Sequence, residues 1–123
     1  MGPPIYTVCA DDSVVQQLLA SPEGLRIYPF GSAKQKTEYP YVVWQTIYGA
    51  PENYLGDLPT LDTYGTQVDC YGKTWREVRE VATAIRDALE PAAYITGWNG
   101  ESVDPVTKSY RVSFNVDWIT ARS

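Results

Sequence analysis

The sequence predicts an α+β domain: a mainly antiparallel sheet of four or five strands with two helices, the longer one (about 75–89) packed on one face. Three stretches carry that prediction. In YRVSFNVDWI (110–119), Tyr110, Val112, Phe114, Val116 and Trp118 alternate strictly with Arg111, Ser113, Asn115 and Asp117, the period of a strand with one buried face. In residues 75–89, Trp75, Val78, Ala82, Ile85 and Leu89 recur at three- and four-residue spacing, widened by Val81 and Ala88, which is the stripe of an amphipathic helix. YVVWQTIY (41–48) is apolar on both faces, with Val42, Trp44 and Tyr48 on one and Tyr41, Val43 and Ile47 on the other. Such a strand is central, or its outer face meets a partner.

The other elements follow in order. Residues 1–12 form an N-terminal segment without a diagnostic pattern. Asp11-Asp12-Ser13 precedes VVQQLLA as an acidic cap on a short helix whose apolar side is Val14, Val15, Leu18 and Leu19. Ser21-Pro22-Glu23-Gly24 stops that helix. Leu25 to Phe30 is a short strand, and Pro29 places it at an edge. Residues 31–40 are polar and bounded by Gly and Pro, hence a loop. GAPENYLGDLPTLD (49–62) carries two Pro and two Gly and is expected as a long irregular loop. Tyr64, Thr66, Val68 and Cys70 alternate with Gly65, Gln67 and Asp69 in the next strand, and Pro91 ends the long helix. AYITGW (93–98) is a short strand that forms an antiparallel hairpin with 110–119, with turn residues at Asn99-Gly100 and Asp104-Pro105. No repeat divides the chain, so 1–123 is one domain.

Composition narrows the function. A chain of 123 residues supports one hydrophobic core. The net charge of −5 disfavours sequence-independent binding to phosphate backbones. There is no histidine, which removes His-based triads and, with only two cysteines, nearly every zinc site. Cys9 and Cys70 are expected as free thiols, Cys70 as a small buried hydrophobe. No run approaches the roughly 20 apolar residues of a membrane span, and the N-terminus lacks a signal-peptide pattern. A soluble, intracellular protein with no membrane partner is the expectation. Ten tyrosines suit a protein that makes interfaces.

Gly72-Lys73-Thr74 stands between a strand and a helix, where a nucleotide-binding loop would lie. Such a loop needs a glycine five residues before the GK pair so that backbone N–H groups wrap the phosphates. That position is Gln67, inside an alternating strand. Thr74-Trp75-Arg76-Glu77 instead fits a capping box, with Glu77 returning the hydrogen bond. The carboxylates Glu52, Asp57, Asp62, Glu101 and Asp104 match no calcium-loop spacing. Asp69 and Asp117 read as solvated surface charges rather than an acid–base couple. No catalytic residue, cofactor site or metal site is predicted. The remaining candidates lie in the long loop. Tyr54, Leu55 and Leu58 are expected as anchors of an assembly arm from Ala50 to Leu61, with Leu61 and Tyr48 completing a subunit or partner interface. A loop tucked onto its own domain stays open as the alternative.

The stretch PYVVWQTIYGAPENYLGDLPTLDTYGTQVDCYG, followed by the helix and then YRVSFNVDWI, resembles the tail completion, or tail-to-head joining (tail terminator), family of tailed bacteriophages and prophages. The resemblance spans about Leu25 to Ile119. It rests on a P-Y-V-x-x-Q strand, a Q-V-D-C strand directly before an amphipathic helix, and a closing aromatic-rich strand. It implies a non-enzymatic virion structural protein, assembled in the host cytoplasm. Such proteins form a ring, commonly a hexamer, at the head-proximal end of the tail. The implied partners are other copies of the chain, the tail tube protein and the head connector or stopper protein, with genomic DNA passing through without specific binding. The family carries no catalytic residues to transfer. A monomeric binding module or small enzyme on a similar fold remains the alternative.

Overall fold

Why helices should collect on one side of this sheet follows from the strands themselves: one parity is Val, Phe, Trp and Cys, the other largely polar. The computed structural model describes residues 3–33, 37–54 and 57–121, with backbone alone at 52–54, 57–60 and 121. Along the chain run α1 (Ile5–Ala10), α2 (Ser13–Leu19), β1 (Ala20–Ser21), β2 (Gly24–Leu25), β3 (Ile27–Pro29), β4 (Tyr41–Tyr54), β5 (Asp57–Gly72), α3 (Trp75–Leu89), β6 (Tyr94–Val103) and β7 (Tyr110–Ala121). The short β1 and β2 pair with each other, and the remaining strands form one sheet in the order β3-β4-β5-β7-β6.

Helix α3 packs on β5 and β7, and α1 and α2 pack against α3. The core between the layers holds Val42, Val68, Cys70, Val112, Phe114, Val116 and Trp118 from the sheet. Val78, Val81, Ile85 and Leu89 face them from α3, and Ile5, Cys9, Val15 and Leu19 from the two short helices. At the α3 N-terminus, Thr74 Oγ1 accepts from the Glu77 N–H at 3.1 Å. Glu77 returns a bond at 2.9 Å, one residue further up than a standard box, to the Lys73 N–H. Asp12 caps α2 by accepting from the N–H groups of Val14 and Val15.

The mainly antiparallel sheet is as expected: only the edge strand β3 runs parallel, to β4, and the other three pairings are antiparallel. Three expectations are corrected. There are three helices among the described residues: α1 lies in the segment that shows no pattern, and its N-cap, Pro4, makes no side-chain cap bond. The 49–62 segment is not an irregular loop: β4 and β5 continue through it as an antiparallel ladder to the pair Tyr54–Asp57. Strand β6 runs past Trp98 to Val103, because Asn99-Gly100 forms a bulge instead of a turn, with Gly100 at φ 98°. The turn falls later, where the Asp104 carboxylate accepts from the N–H groups of Val106 and Thr107.

Candidate assembly surface

Side-chain alternation gives the sheet two faces, and among the described residues no element packs over the second one. Its rows can be read from the register. Tyr41 lies opposite Tyr71 and Arg111; Val43 opposite Asp69 and Ser113; Gln45 opposite Gln67 and Asn115; Tyr48 opposite Gly65, Asp117 and Tyr94. Beyond them come Ala50, Thr63 and Ile119, then Glu52 and Leu61. Tyr28 joins the face beside Val43 through the parallel pairing.

The middle of this face is a hydrogen-bonded polar lattice. Arg111 donates to Asp69 at 2.9 Å, and Gln67 donates to both oxygens of the same carboxylate. Asn99 donates to Ser113 at 3.2 Å and to Asn115 at 3.0 Å. These bonds leave Asp69 and Ser113 buried although no layer covers them. Asp69 and Asp117 are not an acid–base couple: they lie opposite Ser113 and Gly65, four residues apart along the ladder, about 13 Å at strand rise.

Tyr48 is on this face, not with Val42 and Trp44 as strict alternation predicts. An irregularity at Ile47, between the pairs Thr46–Thr66 and Tyr48–Gly65, adds one residue and flips the parity. The ring then lies across Gly65, where an added Cβ would sit 1.9 Å from its Cε1, and the hydroxyl donates to Asp117 at 2.6 Å. That hydrogen bond is the first cause of the raised pKa of the phenol. Around Tyr48, exposed Ile47, Tyr94 and Ile119 form an apolar patch, with half-buried Leu61 two rows beyond.

At the other end of the face stand Tyr39, Tyr41 and Tyr71. Tyr41 stacks on Tyr71 with ring centroids 4.9 Å apart and tilts against Tyr39 at 5.4 Å. Burial, with its two neighbouring phenols, pushes Tyr41 up to about 12, and burial is also the first cause of the raised Tyr71 value. Tyr39 is hydrogen-bonded to Ser109 through the two hydroxyls. Lys73 Nζ lies 5.7 Å from the Tyr39 ring centroid.

The structure thus brings together two predicted interface residues, Tyr48 and Leu61. Tyr54 ends β4, with its backbone opposite Asp57. Leu55 and the side chains of Tyr54 and Leu58 lie outside the described residues. The ladder shared with β7 stops at Leu61–Ala121. Residues 53–54 and 57–60 therefore project as a two-stranded arm, about 13 Å past the sheet from Leu61 to Asp57 at strand rise. Ile119 was missed by sequence reasoning, yet it carries a signal: it is the first apolar residue at the outward parity of β7.

Among the described residues no cluster of Cys, Asp and Glu could hold a metal ion. Cys9 and Cys70 are free, buried thiols; burial pushes Cys9 up to about 12 and Cys70 in the same direction. No helix among the described residues is long and apolar enough to cross a membrane. An open groove of about 700 Å³ between α2 and α3 is lined by Val14, Leu18, Thr83 and Ala84. Its charged rim residues Arg76 and Glu80 pair with each other, and Arg79 pairs with Glu101.

Comparison with known proteins gives matches of two kinds. The family model described as "Tail completion protein gp17" matches residues 3–121. Among solved structures, a chain of the "Virion of native gene transfer agent (GTA) particle" is similar with a TM-score of 0.66 at 11% identity. That match covers 96% of this chain and 92% of the other, so the two share a fold. No curated protein matches.

Proposed function

Because the chain belongs to the tail completion protein gp17 family, and so to the virion tail, we propose that it is a non-enzymatic ring-forming protein. The ring sits at the head-proximal end of the tail, ends the tail tube and joins it to the head connector. One observation carries this reading: an uncovered sheet face bearing Tyr48, Tyr94 and Ile119 runs directly into a projecting hairpin whose sequence holds Tyr54, Leu55 and Leu58. Apolar side chains on a narrow arm are a solubility liability unless a partner covers them. A net charge of −5 per copy suits a bore through which DNA moves without being held, because few phosphate counterions are released on contact.

The test replaces Tyr54, Leu55 and Leu58 together by Ser. A buried tyrosine anchor contributes on the order of 2 kcal/mol at an interface, and the two leucines add the burial of their apolar area. The variant is expected to keep the parent's circular dichroism and melting temperature but to stay monomeric by light scattering, alone and with tail-tube subunits. A triple variant that still forms rings or caps tubes refutes the arm as an assembly element.

A further inference from the structure

The arm leaves the sheet at a joint where its own ladder is interrupted. Among the described residues β4 pairs with β3 only as far as Trp44, so from Gln45 onward β5 is its one strand partner. That pairing breaks at Ile47, between Thr46–Thr66 and Tyr48–Gly65. A bulge bends the strand that carries it and disrupts the ladder locally, so the bend at Ile47 aims everything beyond it. Gly49, Ala50 and Pro51, which follow, are exposed. Strand β5 is held on its far side by β7 up to the pair Leu61–Ala121, whereas the outer half of β4 has only β5. Backbone pairing alone therefore holds the arm least firmly at its root.

Tyr48, the first residue past the bulge, supplies a second tie at that root. Its ring crosses β5 over Gly65, where a Cβ would lie 1.9 Å from Cε1 and 2.4 Å from Cδ1 and Cζ, so any side chain there would block the crossing. The hydroxyl reaches Asp117 of β7 and donates at 2.6 Å, a short bond strengthened by the charge of its acceptor. One side chain thus joins β4 to β7 over the strand between them, about 10 Å at two strand spacings. We propose that Tyr48, Gly65 and Asp117 form a latch that fixes the direction of the arm. In assembly Tyr48 is then a positioning residue, acting through its hydroxyl beyond the apolar area that its ring lends to the patch. This rests on the ring reading above, in which the arm meets a neighbouring copy, and adds how the arm is held before contact. An arm already fixed in direction loses less freedom on docking.

Variants that spare the ring test the latch. Tyr48→Phe keeps the ring and removes the donor, Asp117→Ala removes the acceptor, and the double variant removes both. In each single variant the amides of Gly49, Ala50, Thr63 and Tyr64 should exchange with solvent roughly three- to tenfold faster, the factor lost with one exposed hydrogen bond. The double variant should be no faster than the faster single, because both changes remove the same bond, and helix α3 should keep the parent's rates. The concentration for half-assembly, read by light scattering with tail-tube subunits, should rise by a similar factor in Tyr48→Phe. Unchanged exchange of these amides in Tyr48→Phe overturns the latch, and so do double-variant rates that multiply the two single effects. Faster exchange with assembly at the parent's concentration overturns the positioning role. If the parent forms no assembly, alone or with tail-tube subunits, the ring reading falls and the positioning role falls with it, while the exchange rates still decide the latch.

Discussion

Gly72→Ala examines why the joint between β5 and α3 reads Gly-Lys-Thr. A Cβ at this position would lie 2.9 Å from the Val78 nitrogen, 3.1 Å from its Cβ and 3.2 Å from its Cα. Two of those atoms are helix backbone and cannot swing aside, so the first turn of α3 must lift off the strand. Overpacking of this kind costs about 1–3 kcal/mol. With an unfolding entropy of roughly 2.1 cal/mol/K per residue over 123 residues, each kcal/mol shifts the melting temperature by about 4 °C. Gly72→Ala should therefore lower it by about 4–12 °C, and Thr74→Ala, which loses the 3.1 Å cap, by about 4 °C. Lys73→Ala should leave it within about 2 °C, since its contact with Tyr39 is an exposed one. Scanning calorimetry with and without Mg-ATP measures all three. An unchanged melting temperature for Gly72→Ala refutes the close-packing argument. Stabilisation of the parent by ATP that disappears in Lys73→Ala refutes the assignment of this tripeptide as a strand–helix joint.

Two further outcomes follow from the titrating groups. Cys9 and Cys70 are buried with raised thiol pKa values, so neither should react with a maleimide at pH 8 in the folded chain, while both should react in denaturant; fast labelling of the native protein contradicts the packing. The two N–H groups held by Asp104 keep its carboxyl below the usual range, so its contribution is present above the unfolded carboxylate pKa and is lost as pH falls through the folded one; the melting-temperature gap between the parent and Asp104→Ala should be open at pH 7 and narrow as pH falls below the ordinary carboxylate range, and a gap that does not change with pH contradicts the carboxylate's role.

Legibility in the sequence followed the strength of one period. Helix α3 is read to both ends because its stripe, its Thr74 cap and Pro91 agree, and β7 because its alternation is unbroken from Tyr110 to Trp118. Failures came where local chemistry and tertiary pairing conflict. Helix α1 contributes Ile5 and Cys9 to the core from six residues with no side-chain cap; a helix so short is formed by packing, not by propensity. Gly49, Pro51 and Pro59 look like loop formers, yet they lie within the long β4–β5 hairpin. Next to β4, β3 reaches only as far as Trp44, so beyond it a proline on the β4 edge breaks no further ladder.

The candidate assembly surface was legible only in outline, for a related reason. Counting by twos from Val42 puts Tyr48 in the core, and only the extra residue at Ile47 turns it outward, where Gly65 leaves room for the ring and Asp117 anchors it. Neither residue marks a bulge by its own type. The outward parity of β7 is polar from Arg111 to Asp117, which reads as solvent; the break at Ile119 gains meaning only when Tyr48, Tyr94 and Leu61 gather around it from three other strands.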